Sequence, residues 1–121
     1  MNVNTCWSRA FLLFSLCIGL CGCGNASYRL SAADKAAFKD ATTEMKRAWE
    51  DGLKADKAND YLAGNTNFCF LLSQNLTAEQ LVAVQSALGG LNLRMNEAAA
   101  KGDDAALKAA AALKSLHTPR R

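Results

Sequence analysis

Residues 77 to 98 read TAEQLVAVQSALGGLNLRMNEA, and this stretch decides the fold. Thr77-Ala78-Glu79-Gln80 is a capping box, in which the threonine hydroxyl accepts a backbone N–H while the glutamine side chain returns a bond to the cap. Behind it Leu81, Val84, Leu88, Leu91, Met95 and Ala98 follow at intervals of 3, 4, 3, 4 and 3. That period belongs to a helix packed along one narrow seam, as in antiparallel bundles and short coiled coils. Packing inside the same domain is the expectation, because fewer than about three heptads seldom sustain an independent coiled coil. Two features leave room for a partner. Gly89 and Gly90 interrupt the helix, each at a cost of about 1 kcal/mol relative to alanine, and would let another backbone come close. Val82 and Leu93 lie off the seam as a second apolar strip. Val82, Gly89, Gly90 and Leu93 therefore form the candidate partner surface.

Outward from this helix, the punctuation on both sides is helical too. Lys101-Gly102-Asp103 ends it, glycine closing one helix and aspartate capping the next. The following helix, residues 104 to 116, is nearly all alanine with Leu107, Leu113 and Leu116, so it can lie tightly against its neighbours. Residues 117 to 121, with Pro119, are expected to fray as a basic tail. Upstream, Asn59 and Asp60 can cap a helix carrying Tyr61, Leu62, Phe68, Cys69, Leu71 and Leu72. Gly64, Asn65, Thr66 and Asn67 are poor or indifferent helix formers, and a kink or fraying is expected there. Cys69, between two phenylalanines, reads as a buried small hydrophobe.

One long helix is expected from Ser31, with Asp34 in a capping arrangement, to about Lys57. Phe38, Ala41, Met45, Ala48 or Trp49, and Leu53 mark its buried face. Lys46, Glu50 and Lys54, with Arg47 and Asp51, mark a solvated one. The short turn Lys57-Ala58-Asn59-Asp60 and its counterpart Lys101-Gly102-Asp103-Asp104 recur at an offset of 44 residues. The fold expected is all-α, a small bundle of about four helices built as two antiparallel hairpins over residues 31 to 116. The plan loosely resembles the hairpins of tetratricopeptide-like proteins, although the period is longer than that family's and its aromatic signature is absent.

Residues 7 to 23, WSRAFLLFSLCIGLCGC, have a different character. A weakly positive start with Arg9, an apolar run of about a dozen residues and a small-residue end compose a signal segment, while a spanning helix needs roughly 20 residues. Leu20-Cys21-Gly22-Cys23 resembles the lipobox of bacterial lipoproteins. The resemblance implies a signal peptide of residues 1 to 22, cleaved before Cys23, and a diacylglycerol on the Cys23 sulfur. It also implies attachment to membrane lipid through the acylated Cys23. Residues 23 to 30 then form the lipidated cysteine and a tether, and the seven residues after Cys23 reach at most about 25 Å. Two or three acyl chains hold essentially permanently, since each buried methylene contributes about 0.8 kcal/mol. Gly24 after the cysteine implies the periplasmic face of the outer membrane in a Gram-negative cell. The alternative is an ordinary secretory signal cut after Ala26, which releases the domain.

Composition narrows the function. The net charge is +3, and removal of Arg9 with the signal leaves thirteen basic against eleven acidic residues, interspersed. No basic stripe or aromatic series of a nucleic-acid binder is present. Four of five cysteines lie in the first 23 residues without histidine or acidic neighbours, so neither a disulfide framework nor a metal site is expected. No nucleophile motif or phosphate loop occurs, and the adjacent carboxylates Asp103 and Asp104 are explained by helix capping. The single histidine, His117, falls on the expected tail, so neither an enzyme nor a cofactor is expected. What remains is a structural or protein-interaction module of the cell envelope with an envelope protein as partner. The runner-up is a carrier of a small apolar ligand, secreted or anchored.

Overall fold

The computed structural model describes residues 30–117. The signal segment, the tether up to residue 29, Cys23 and the last four residues lie outside the described residues. Among the described residues the chain forms five helices: α1 Ala32–Ala36, α2 Thr43–Lys57, α3 Tyr61–Leu72, α4 Ala78–Ala100 and α5 Asp104–His117. No strand occurs among them. Each helix is set by a side chain at its N-terminus that accepts an otherwise orphaned backbone N–H. Ser31 accepts from Asp34 at 3.1 Å, Thr42 from Met45 at 3.3 Å, Asp60 from Ala63 at 3.1 Å, Thr77 from Gln80 at 3.2 Å and Asp103 from Ala106 at 2.8 Å.

The expected single helix from residue 31 to 57 is two helices. α1 stops after five residues, and a turn through Phe38 leads to a new cap at Thr42. Phe38 and Trp49 are eleven residues apart, so one continuous helix would hold them about 16 Å apart along its axis. The break brings the two rings face to face, with centroids 4.8 Å apart and planes 23° from parallel. Phe38 is thereby 2 % and Trp49 3 % exposed. Burial of two large aromatic side chains, about 1.5 to 3 kcal/mol each, outweighs the few helical bonds given up.

The turns α2–α3 and α4–α5 are the same device. In the first, the Asp60 N–H donates to the Ala55 carbonyl at 2.9 Å and the Asn59 N–H to the Asp56 carbonyl at 3.2 Å. In the second, the Asp103 N–H donates to the Ala98 carbonyl at 3.0 Å and the Gly102 N–H to the Ala99 carbonyl at 3.0 Å. Both are Schellman closures, with Asn59 at φ 55° and Gly102 at φ 85° in the left-handed position. Since Asp60 and Asp103 are the matching caps, the turns repeat at 43 residues rather than the expected 44.

The helices pack in chain order, α2 on α3, α3 on α4 and α4 on α5, while α3 also meets α5 and α1 leans on α4. The core holds Phe68, Leu71, Val84 and Leu91, all fully buried, beneath the Phe38–Trp49 stack. Phe68 reaches Trp49 at 5.8 Å between ring centroids. Two glycines set the close approaches. A Cβ on Gly52 would lie 2.6 Å from the Phe68 ring, and one on Gly64 would lie 2.6 Å from a Leu91 methyl. Gly64 therefore admits α4 against α3 instead of breaking the helix.

The rest of the 64 to 67 segment is also helical, and its polar side chains find partners within the fold. Thr66 and Asn67 donate to the carbonyls of Leu62 and Ala63, four residues back, at 2.9 and 3.0 Å. Asn65, 5 % exposed, donates to the Tyr61 carbonyl and to Asn92 Oδ1 of α4, both at 2.9 Å. Gln80 is buried as well. Its Oε1 accepts the Thr77 N–H at 3.1 Å, and its Nε2 donates to the Ala37 carbonyl at 3.2 Å, tying the cap of α4 to the turn after α1. The buried face of α4 is rotated accordingly, with Gln80, Ala83, Val84, Ala87, Gly90, Leu91 and Met95 inside. Leu81, expected on the seam, is 39 % exposed.

Candidate functional site

The candidate surface runs along the outer face of α4. Val82 is 56 % and Leu93 46 % exposed, and Gly89 between them is exposed. At 100° per residue these three fall within about 40° of one another around the axis, and Val82 and Leu93 are about 16 Å apart along it. They form one stripe. Gly90 does not belong to it: one residue beyond Gly89, it turns into the protein and is buried. The expected close approach at the Gly89-Gly90 pair is absent on the Gly89 side, where an added Cβ would meet nothing within 4 Å. Gly89→Ala is therefore expected to stabilise the domain by about 1 kcal/mol through helix propensity alone. The check is the urea midpoint at unchanged m-value. A loss of stability would show that something else occupies that space.

At its N-terminal end the stripe merges with an open depression of about 370 Å³ between α1 and the first turn of α4, lined by Ala33, Asp34, Ala78, Glu79 and Val82. The sequence showed only Val82 of this group. Ala33 and Ala78 carry no signal of their own, and they matter because the break after Ala36 folds α1 back onto α4. A second open depression, about 540 Å³, lies at the opposite end of the bundle beside the α2–α3 turn, with Tyr61, Leu62 and the alanines of α5 on its walls. Leu107 and Leu116 add exposed apolar surface on α5.

The remaining chemistry-bearing residues stand apart from one another. Cys69 is exposed, not buried as its phenylalanine neighbours implied, because it lies one residue past Phe68 and so on the outer side of α3. His117 is the last residue of α5 and not part of a tail, with Nδ1 2.8 Å from the Leu113 carbonyl. Asp103 is the cap of α5, and Asp104 pairs with Lys108 at 2.6 Å. Arg47 pairs with Asp51 at 3.8 Å on the solvated face of α2, as their spacing implied. An ion pair between distant segments joins Arg94 of α4 to Asp56 of α2, each about a quarter exposed or less. It fastens the ends of two helices and leads into no depression described above. Among the described residues no group of three or more histidine, cysteine or acidic residues is placed to hold a metal ion, and no helix is long and apolar enough to cross a membrane.

Comparison with known proteins adds no relative: no protein-family model, no curated protein and no solved structure matches this chain.

Proposed function

We propose that this chain is a small lipid-anchored helical protein of a bacterial cell envelope, a structural or protein-interaction module without catalytic activity. The observation that carries the reading is Leu20-Cys21-Gly22-Cys23 at the end of a short apolar run, a lipobox-type sequence that would place a diacylglycerol on Cys23. Leu30, the seventh residue after that cysteine, packs its side chain against the core, so the domain would ride within about 25 Å of the lipid surface. For a Gram-negative cell we assign it to the periplasmic face of the outer membrane. The stripe of Val82, Gly89 and Leu93 is the surface offered to a partner envelope protein, because an exposed apolar helix face favours a helix or groove laid along it. The carrier reading is less well supported, since Phe68, Leu71, Val84 and Leu91 fill the space between α2, α3 and α4.

The attachment is tested by the intact mass of the mature chain from membranes. The expected product begins at Cys23 and carries the mass of two or three acyl chains, and Cys23→Ser leaves the protein uncleaved and unacylated. An unmodified chain beginning at Ser27 would replace the anchored reading by the secreted one. For the surface, Val82→Lys with Leu93→Lys is expected to abolish crosslinking to the partner while the thermal midpoint stays within a few degrees. Unchanged crosslinking would remove the stripe from the proposal.

A further inference from the structure

The depression between α1 and the first turn of α4 has apolar walls and an acidic rim. Ala33, Ala78 and Val82 make the walls, and all three are exposed. Its charged groups are two carboxylates, Asp34 and Glu79, with no lysine or arginine among the lining residues. Asp34 also closes the cap of α1, where its Oδ2 accepts the Ser31 N–H at 2.9 Å and the Ser31 hydroxyl at 2.7 Å. An exposed apolar surface edged by one sign of charge suits an occupant that is apolar and carries the opposite charge.

The described chain starts beside this depression. Leu30 packs its side chain against the core, Ser31 caps α1, and Ala33 and Asp34 of the next turn already stand in the wall. Just before Leu30, outside the described residues, come Tyr28 and Arg29. Within residues 24 to 30, Tyr28 is the only aromatic residue and Arg29 the only charged one. Two residues of chain span at most about 7 Å, so Tyr28 cannot be far from the depression that begins at Ala33.

We propose that Tyr28 and Arg29 dock in this depression, the tyrosine ring against Ala33, Ala78 and Val82 and the guanidinium beside Glu79 at the rim. The volume of about 370 Å³ lies near the lower end of the roughly 300 to 1,000 Å³ that ligand pockets span, room for one aromatic side chain and its neighbour. The ring supplies most of the contact, and the exposed ion pair sets its register more than its strength. A segment tethered this closely has an effective concentration on the order of millimolar, so it occupies the depression ahead of a foreign peptide at micromolar level. Docking shortens the free tether to residues 24 to 27 and holds Tyr28 within about 18 Å of Cys23, which turns α1 and the start of α4 towards the lipid surface. That orientation rests on the anchored reading. The docking does not, because a chain cut after Ala26 keeps both residues.

The test replaces Tyr28 in the full-length chain with the photocrosslinking residue p-benzoylphenylalanine, irradiates the protein in membranes and maps the linked peptides by mass spectrometry. The expected product is a link within one chain to the first turn of α1 or to residues 78 to 82. Its yield should fall about fivefold or more in Glu79→Lys/Val82→Lys, two exposed positions whose exchange leaves the helical circular dichroism unchanged. Adding Arg29→Glu to Glu79→Lys should recover the yield that Glu79→Lys alone loses. Links made only to lipid, to a second polypeptide or to another part of the domain would overturn the docking, as would a double variant that links like its parent. The mass of the mature chain reads the anchor separately. An acylated chain without the internal link loses the docking and keeps the anchor, and an unacylated chain with the link does the reverse.

Discussion

Phe68→Ala is expected to lower the unfolding free energy by about 3 to 5 kcal/mol, the range for removing a buried phenylalanine that its neighbours cannot replace. The site has little capacity to collapse. Phe68 is fully buried, its ring lies where a Cβ of Gly52 would be, and the Trp49 ring tilts against it at 56°. A small domain has total stability of only about 5 to 15 kcal/mol, so the variant should sit near its unfolding transition at ambient temperature. Urea unfolding followed by circular dichroism reads the effect directly. Leu72→Ala serves as the contrast: that side chain, on the same helix, is 37 % exposed and should cost far less. If the two variants differ by under about 1 kcal/mol, Phe68 is not the centre of this core.

Gly52→Ala should destabilise although it improves helix propensity. The added methyl would lie 2.6, 3.0 and 3.1 Å from three atoms of the Phe68 ring. The Phe68 ring is fully buried and already rests against Trp49, so it has little room in which to retreat. Overpacking of this kind costs about 1 to 3 kcal/mol, against a propensity gain of about 1 kcal/mol, so a net loss of about 1 to 2 kcal/mol is expected. The sign is opposite to that expected for Gly89→Ala, although both are interior glycines of long helices. Combining Gly52→Ala with Phe68→Leu should recover part of the loss, because the smaller side chain vacates the clashing position. Strict additivity of the two single effects would mean that the residues do not touch.

The existence of the helices was legible because their signals are local. A cap acts on N–H groups two or three residues away, and an apolar period reports a face of the same helix. That is why the box at Thr77, the cap at Asp60 and the paired turns before α3 and α5 are found where the residues indicate. The break after Ala36 was not legible, because its cause is the stacking of Phe38 on Trp49, a contact between residues with the same helical phase and a different position in space. Helical spacing alone assigns both to one buried face and gives no reason to stop.

The exposed stripe shows the same division. Val82 and Leu93 could be singled out as apolar residues off the seam, and they are exposed. Assigning Gly90 to their surface with Gly89 ignored the 100° between neighbours on a helix, and the true inner face, centred on Gln80, Val84, Ala87 and Leu91, leaves Gly90 inside. Gln80 lies inside because its amide has a partner 43 residues away at Ala37, which compensates the burial of a polar group. Nothing next to Gln80 in the chain indicates that partner. The Trp49 N–H, buried with no partner among the described residues, is likewise a product of assembly.

From residues alone, then, follow the all-helical character of residues 30–117, four of their five N-terminal caps, the repeated turns and the short apolar segment ending at Cys23, because propensity, capping and periodicity act within a few residues. Which glycines are contacts, which polar groups are buried and where the first helix stops were decided only by tertiary structure. Each depends on side chains many positions apart competing for the same limited volume, and that competition is resolved only when the helices pack.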